Sequence, residues 1–180
     1  MKIFQFKITL NHIKPPVWRR FQVQENTDLE SLHYIIQVVM GWENAHLYQF
    51  IIDKQYYTTP FEDGDDFNDS KPAADTILKE VIRQPKQKFI YEYDFGDSWE
   101  HVLELEEILE KDPKTKYPVC ITGKRACPPE DCGGPWGYIE LLEVIKNPKH
   151  PEHEDMLEWL GEEFDPEYFS LEEINAVLRQ

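Results

Sequence analysis

The sequence predicts an α+β fold with a mixed β-sheet of about five to six strands, one main packed helix and a C-terminal helical group. Three patterns lead to this prediction: alternating apolar residues within 2–108, one amphipathic helical segment, and proline-punctuated helical segments after residue 137. A length of 180 residues fits a single domain. We expect it to comprise a sheet with its helix (1–110), a Cys/Pro/Gly loop (111–137) and an acidic helical part (138–180).

The first elements follow from local patterns. Residues 2–10 and 17–24 predict two strands, because the prolines at 15 and 16 cannot extend a ladder between them. Thr27 and Glu30 form a capping-box pattern, and an apolar stripe at helical spacing then continues to Gly41. Residues 46–58 are rich in aromatic and β-branched residues and predict one strand or two short ones. The resulting order, β-β-α-β, is loosely ubiquitin-like.

The later elements are more irregular. Residues 61–72 predict an acidic surface loop, and Phe67 occupies a position where a calcium loop needs an oxygen ligand. Asp75 is a candidate cap for a short helix. Further helices are expected at about 136–147, 153–162 and 170–179, the last capped by Ser170.

Residues 88–105 predict a β-hairpin whose turn is Gly96-Asp97, a pair typical of a two-residue type II′ turn. This turn would place Asp94 opposite Trp99 and Glu92 opposite His101. Glu92, Asp94 and His101 would then share one face and form a candidate acid/base or metal cluster, next to Asp97 in the turn. Alternatively, Glu92 and His101 are an ordinary cross-strand pair, and a three-residue turn would separate the cluster because it reverses one strand's faces.

The loop over 111–137 holds all three cysteines, Cys120, Cys127 and Cys132, too few for a disulfide framework. Three thiolates and a histidine could bind a structural Zn²⁺ ion. His46, His101 and His33 are the candidates for the fourth ligand, although His33 falls on the apolar stripe of its helix. Buried unreactive thiols and redox or nucleophilic thiols are the alternatives.

Glu130 and Asp131 lie in the same loop, between two of the cysteines. They could join Asp94 and His101 in a carboxylate and imidazole set that suits Mg²⁺, Mn²⁺ or Zn²⁺ and metal-assisted hydrolysis. The alternative is that Glu130 or Asp131 caps the helix that follows.

The charge balance limits the classes of partner. Nineteen Lys and Arg residues against 35 Asp and Glu residues give a net charge of −16, all of which arises beyond residue 60. This charge disfavours nucleic-acid backbones and anionic membranes. Because the sequence has no long apolar run and no secretory signal pattern, we expect a cytoplasmic protein.

Several blocks of sequence resemble the Ri-plasmid open-reading-frame-three-like family: Pro-Pro-Val-Trp-Arg-Arg at 15–20, His-Leu-Tyr-Gln-Phe at 46–50, Tyr-Glu-Tyr-Asp-Phe-Gly-Asp-Ser-Trp-Glu-His at 91–101, and Cys-Pro-Pro-Glu-Asp-Cys-Gly-Gly-Pro-Trp-Gly-Tyr at 127–138. The resemblance covers about residues 2–170 and implies a prokaryotic α+β domain without an established activity. The residues Asp94, Asp97, His101, Glu130 and Asp131 match motif positions.

Some members of that family are labelled insertion-sequence passenger proteins of TnpR type, which implies a link to mobile elements. The chain itself has no evident serine-recombinase motif, helix-turn-helix or basic arm. We therefore expect a cytosolic accessory or binding module whose acidic and histidine-containing cleft recognises a cation, a small ligand or a basic protein. The alternatives are a metal-dependent hydrolase or nuclease at the same residues, and a structural zinc protein without chemistry.

Overall fold

Alternation of apolar and polar residues gives the N-terminal strands one buried face, and the same pattern recurs through the sheet. The computed structural model describes residues 1–60, 69–161 and 164–180. Its strands are β1 (Lys2–Leu10), β2 (Trp18–Gln24), β3 (Tyr48–Ile52), β4 (Gln55–Thr58), β5 (Lys71–Pro72), β6 (Lys88–Tyr93), β7 (Trp99–Glu110) and β8 (Val119–Lys124). Its helices are α1 (Leu29–Met40), α2 (Leu78–Val81), α3 (Gly134–Lys146), α4 (His153–Leu160) and α5 (Leu171–Leu178).

The strands of the described residues form one mixed sheet in the order β5-β4-β3-β6-β7-β1-β2-β8. Only the short pairing of β4 with β5 is parallel. The α+β class is confirmed, but the expected five to six strands are too few. Residues 46–58 form the two short strands β3 and β4, which is one of the two expected possibilities and accounts for six strands. The other two, β5 and β8, form in segments that looked irregular. β5 is hydrogen-bonded to β4, and β8 is hydrogen-bonded to β2, which lies far away in sequence.

Helix α1 ends as the sequence predicts, at Gly41, which adopts a φ of 107° that suits glycine. Its N-terminal cap is Asp28 and not the predicted Thr27: the Asp28 carboxylate accepts a hydrogen bond from the Ser31 N–H at 2.7 Å. The capping-box prediction placed the cap one residue too early. The backbone of Thr27 serves another purpose, because its carbonyl accepts from the Leu78 N–H at the start of α2.

A buried polar network joins α1 to the centre of the sheet. The Tyr91 hydroxyl accepts a hydrogen bond from Gln37 at 2.9 Å and contacts His33 Nδ1 at 2.8 Å, while His33 Nε2 contacts the Asn44 side-chain oxygen at 2.7 Å. Because that oxygen can only accept, His33 carries its proton on Nε2 and accepts from Tyr91 on Nδ1. Burial lowers the pKa of His33 to about 4, so this histidine is neutral at pH 7 and belongs to the core.

The helices beyond α1 differ from the predictions mainly at their ends. Ser170 caps α5 as expected, by accepting from the Glu173 N–H. Helix α2 begins after Ile77, and no side chain caps it, so the cap expected at Asp75 is wrong. No helix in the described part of the chain is long and apolar enough to cross a membrane. Most of the acidic loop predicted at 61–72 lies outside the described residues.

Candidate functional site

A histidine and three carboxylates from three separate segments converge at one end of the sheet. His46 precedes β3, Asp94 follows β6, and Glu130 and Asp131 lie in the loop before α3. His46 Nε2 is 3.0 Å from an oxygen of Asp131, 3.6 Å from one of Asp94 and 3.7 Å from one of Glu130. We call these four residues the His46 cluster.

The pairing of β3 with β6 explains why His46 meets Asp94. Tyr48 at the start of β3 pairs with Tyr93 at the end of β6, so the chain before β3 lies beside the turn after β6. The Asp94 N–H donates to the Leu47 carbonyl at 2.8 Å. One oxygen of the buried Asp94 side chain accepts from the Gly96 N–H at 2.9 Å, and the other faces His46.

Glu130 is held from one side only. Its Oε1 accepts hydrogen bonds from the Glu43 N–H at 2.8 Å and from the Tyr93 hydroxyl at 3.0 Å. Its Oε2 is buried and has no hydrogen-bond partner. Burial raises the pKa of Tyr93, and the Glu130 carboxylate beside it raises it further, so the hydroxyl remains a donor. Glu130 therefore has one carboxylate oxygen that is fixed by hydrogen bonds and one that has no hydrogen-bond partner.

Three carboxylates so close together need a compensating positive charge. In the part of the chain that the structure describes, the ion-pair contacts of Asp94, Glu130 and Asp131 are all with His46. His46 Nε2 itself is buried without a geometrically good hydrogen bond. One imidazole is a weak counter-charge for three acids, because even its protonated form carries a single positive charge. The cluster thus favours a bound cation.

The spacing of the ligand atoms fits a metal ion. One ligand atom each from His46, Asp94 and Asp131 can be chosen so that all three lie within 4.8 Å of one another. Nitrogen and oxygen ligands that are about 2.0–2.2 Å from a Zn²⁺ ion stand roughly 3–3.5 Å apart. The separations of 3.0 and 3.6 Å from His46 Nε2 to the two aspartates are close to this range. Asp131 is 70% exposed, which leaves solvent access on its side.

The predicted hairpin register is wrong by one residue on one strand. Tyr91 pairs with His101, and Tyr93 pairs with Trp99. The turn between β6 and β7 therefore holds five residues, 94–98, and an odd number reverses the faces of one strand. Glu92 and His101 consequently lie on opposite faces of the sheet, and the predicted cluster of Glu92, Asp94 and His101 does not form.

His101 is a core residue and not a site residue. It is fully buried, and its Nε2 accepts a hydrogen bond from the Trp42 indole at 3.2 Å. An indole N–H can only donate, so the imidazole proton is on Nδ1 and is donated to the Tyr91 carbonyl, also at 3.2 Å. Burial lowers the pKa of His101 to about 4 and keeps it neutral. Both of its nitrogens are occupied, so it cannot act as a metal ligand.

The two other acids predicted for the site have structural partners. Glu92 accepts from the Gln49 side chain at 2.6 Å across the β3–β6 pair. Asp97 accepts from the Gly133 N–H at 3.1 Å and so fastens the hairpin turn to the start of α3. This bond links an acid to the beginning of that helix. The N-cap residue is Gly133, which has no side chain, so neither Glu130 nor Asp131 is the cap.

The three cysteines do not gather into a group of potential metal ligands within the described residues, where His46, Asp94 and Asp131 form the one such group. Cys120 is buried on β8, and burial raises its pKa to about 11. Burial likewise raises the pKa of Cys132 to about 12 and that of Cys127 well above its ordinary value. All three therefore carry protons at neutral pH, which is typical of packed thiols.

The role of His46 was the part of the cluster that sequence reasoning missed. The sequence indicates His46 only as a partner for the cysteines, because nothing in the spacing between residue 46 and residues 94, 130 and 131 indicates contact. A usable signal was that His46 begins one of the sequence blocks that resemble the family, while Asp94, Glu130 and Asp131 stand in two of the others.

A cleft between α3 and α4 opens beside the cluster. Its volume is about 390 Å³, and Asp131 belongs both to its lining and to the His46 cluster. The rest of its lining includes three acids and two large apolar side chains: Glu140, Glu152, Asp155, Met156 and Trp159. We call this space the α3–α4 cleft.

Similarity to known proteins agrees with the resemblance seen in the sequence. The chain is 36% identical over 178 residues to the uncharacterized protein y4hQ of Sinorhizobium fredii, a match that covers 98% of this chain and 90% of that protein. The crystal structure of MM3350, a protein of unknown function from Methanosarcina mazei, matches with a TM-score of 0.85 and 39% identity over 96% of both chains. The family model described as plasmid pRiA4b ORF-3-like protein matches residues 2–173. Because that match spans nearly the whole sequence, the chain belongs to the plasmid pRiA4b ORF-3-like family.

Proposed function

We propose that the protein is a cytosolic accessory module that binds one divalent transition-metal ion in the His46 cluster. The observation that carries the proposal is the convergence of one imidazole nitrogen and three carboxylates with no other positive side chain in ion-pair contact with them in the described residues. His46, Asp94 and Asp131 are the proposed ligands. The cation-binding class expected from the sequence is retained, with His46 in place of His101.

The donor set indicates which metals fit. One imidazole and two carboxylates suit Zn²⁺ and Mn²⁺. Ca²⁺ prefers six to eight oxygen ligands, and Mg²⁺ usually keeps several waters and binds through carboxylates or phosphates. Three protein ligands with an exposed Asp131 leave room for water or a small ligand on the ion, an arrangement typical of functional and not purely structural metal sites.

Isothermal titration of EDTA-treated, tag-free protein with MnCl₂ and ZnCl₂ tests the proposal. We expect one ion per chain, and we expect His46→Ala to weaken binding by at least about 100-fold, because a ligand matters at least as much as the outer-shell groups that orient it. Glu92→Gln is the matched control, since its carboxylate lies across the β3–β6 pair from Gln49, and its affinity should equal that of the wild type.

Two outcomes would contradict the proposal. If neither Mn²⁺ nor Zn²⁺ binds the wild-type protein, the proposed metal site does not exist. Binding that survives His46→Ala but is lost in Cys120→Ser or Cys127→Ser would favour the structural zinc alternative. The link to mobile elements, which rests on the family resemblance, stays a prediction that this experiment does not address.

A further inference from the structure

We infer that the His46 cluster is hydrolytic: Glu130 acts as the general base toward a metal-bound water, and the substrate is an amide whose acyl side carries a basic group held in the α3–α4 cleft. This inference rests on the proposed metal site and names its reaction and substrate class. Three features of the described residues lead to it: the free oxygen of Glu130, the position of Asp131 and the charge of the cleft.

Glu130 has the geometry of a base and not of a fourth ligand. It stands outside the set of His46, Asp94 and Asp131 whose ligand atoms are all within 4.8 Å of one another. Its Oε2 is nevertheless buried, unpartnered and only 3.7 Å from His46 Nε2. A general base must lie within hydrogen-bond reach of the water that it deprotonates, next to the ion but without occupying its open position.

The opposite oxygen of Glu130 fixes the direction of the free one. Oε1 is held by the Glu43 N–H and by the Tyr93 hydroxyl, and that hydroxyl in turn accepts from the Ala45 N–H at 2.8 Å. Such a carboxylate cannot rotate away from the cluster without losing two hydrogen bonds. Tyr93 is therefore a positioning residue for Glu130.

The α3–α4 cleft extends from the exposed side of the proposed metal site, because Asp131 belongs to both. Its acids Glu140, Glu152 and Asp155 have no ion-pair partner among the described residues. Trp159, half exposed, presents an aromatic face on which an ammonium or guanidinium group can rest. The cleft thus suits the side chain of arginine or lysine.

The same charges argue against a phosphodiester substrate. A divalent ion does not neutralise the three carboxylates of the cluster, and three further acids line the adjoining cleft. The chain as a whole carries −16. A nucleic-acid backbone would be repelled over this surface, whereas a neutral amide next to a cationic side chain would not.

The reaction balances without a further reagent. Glu130 Oε2 takes a proton from the metal-bound water as the water oxygen forms a bond to the amide carbon, and the carbonyl π electrons move to the carbonyl oxygen. When the tetrahedral intermediate collapses, the carbon–nitrogen bond breaks and the leaving nitrogen receives the proton from Glu130. The products are a carboxylic acid and an amine.

Release of 4-nitroaniline from arginine 4-nitroanilide by the Mn²⁺- or Zn²⁺-loaded protein tests the inference. Glutamate 4-nitroanilide and bis(4-nitrophenyl) phosphate serve as comparison substrates. We expect hydrolysis of the arginine compound, and we expect Glu130→Gln to bind metal normally while kcat falls by at least about 100-fold, as loss of a general base predicts. Glu152→Gln with Asp155→Asn should raise KM for the arginine compound and leave the metal affinity unchanged.

Each contrary result has a separate meaning. No metal binding would remove the proposed function itself, whereas metal binding without hydrolysis of the arginine compound would overturn only this inference. Loss of metal binding in Glu130→Gln, with an unchanged circular dichroism spectrum, would make Glu130 a ligand and overturn its role as a base. Faster cleavage of the phosphodiester than of the arginine compound would overturn the substrate class.

Tyr93→Phe provides a milder variant, for which we expect a smaller fall in kcat at unchanged metal affinity.

Discussion

His101 and His46 illustrate how burial and partners decide what an imidazole can do. His101 is fully buried, and each of its ring nitrogens has a partner of the right polarity, Trp42 on one side and the Tyr91 carbonyl on the other. His46 has an Nε2 atom without a good hydrogen bond and three carboxylates within 3.7 Å of it. The first arrangement stabilises the fold, and the second is suited to holding a cation.

His101→Ala should lower the free energy of unfolding by about 2–4 kcal/mol, because it leaves a cavity and removes the acceptor of the buried Trp42 indole. Urea denaturation at pH 7 measures the change. His12→Asn is the control, since His12 is mostly exposed and asparagine tolerates its φ of 65°. A change below about 0.5 kcal/mol in His101→Ala would show that the histidine is not part of the packed core.

At the scale of the element, the turns and caps explain most of the differences between prediction and structure. The turn of 94–98 is three residues longer than the two-residue turn that Gly96-Asp97 suggests. It exists because Asp94 adopts a φ of 58°, accepts from the Ser98 N–H through its carbonyl and holds Gly96 with its side chain. The local sequence favours several turn types, and contacts with the segment before β3 select this one.

The N-terminal cap of α1 can be tested by substitution. Asp28→Ala should destabilise the protein by about 1 kcal/mol, because its carboxylate accepts from both the N–H and the hydroxyl of Ser31. Thr27→Ala should change the stability by much less, since no side-chain cap comes from Thr27. Thermal denaturation of both variants and of the wild type measures the difference. A larger loss of stability in Thr27→Ala than in Asp28→Ala would support the capping box predicted from the sequence.

At the scale of the whole molecule, the order of the strands assembles the candidate site. β6 pairs with β3, so the segment before β3, which carries His46, meets the turn after β6, which carries Asp94, at one end of the sheet. The Asp97 side chain then fastens the hairpin turn to the backbone of Gly133, which follows the loop of Glu130 and Asp131. A site of this kind exists only when the sheet is formed, so metal binding and folding should be coupled.

The pH dependence of global stability tests the two core histidines together. Burial lowers the pKa values of His33 and His101 to about 4, whereas the unfolded chain has a histidine pKa of about 6.5. Below pH 6.5 the unfolded state therefore binds more protons, and stability falls as the pH decreases toward 4. Between pH 7 and pH 5 we expect a loss of at most about 2 kcal/mol per histidine.

Urea denaturation at intervals between pH 5 and pH 7 measures this dependence. His101→Gln, which has no ionisable ring, should show about half of the wild-type slope whatever its absolute stability. A slope unchanged by this substitution would contradict the assignment of His101 as a neutral core histidine.

The elements that can be predicted from the sequence are those stabilised by local interactions. Alternation in β1 and β2, the apolar stripe and terminal Gly41 of α1, and the Ser170 cap each follow from interactions within a few residues. The sequence also indicates Asp94, Glu130 and Asp131 as candidates, although Asp94 follows from a hairpin register that is wrong. Glu130 and Asp131 follow from a loop whose glycines allow close approach.

Tertiary contacts determine the length of the 94–98 turn, the pairing of β8 with β2, and the presence of His46 and not His101 in the cluster. Each depends on contacts between segments that are distant in the chain. The differences in local free energy between the competing turns or registers are too small to select one. The odd number of residues in the turn places His101 on the core face of the sheet. Packing against Trp42 and the pairing of β3 with β6 supply the energy that local sequence lacks, and these contacts exist only once the sheet has formed.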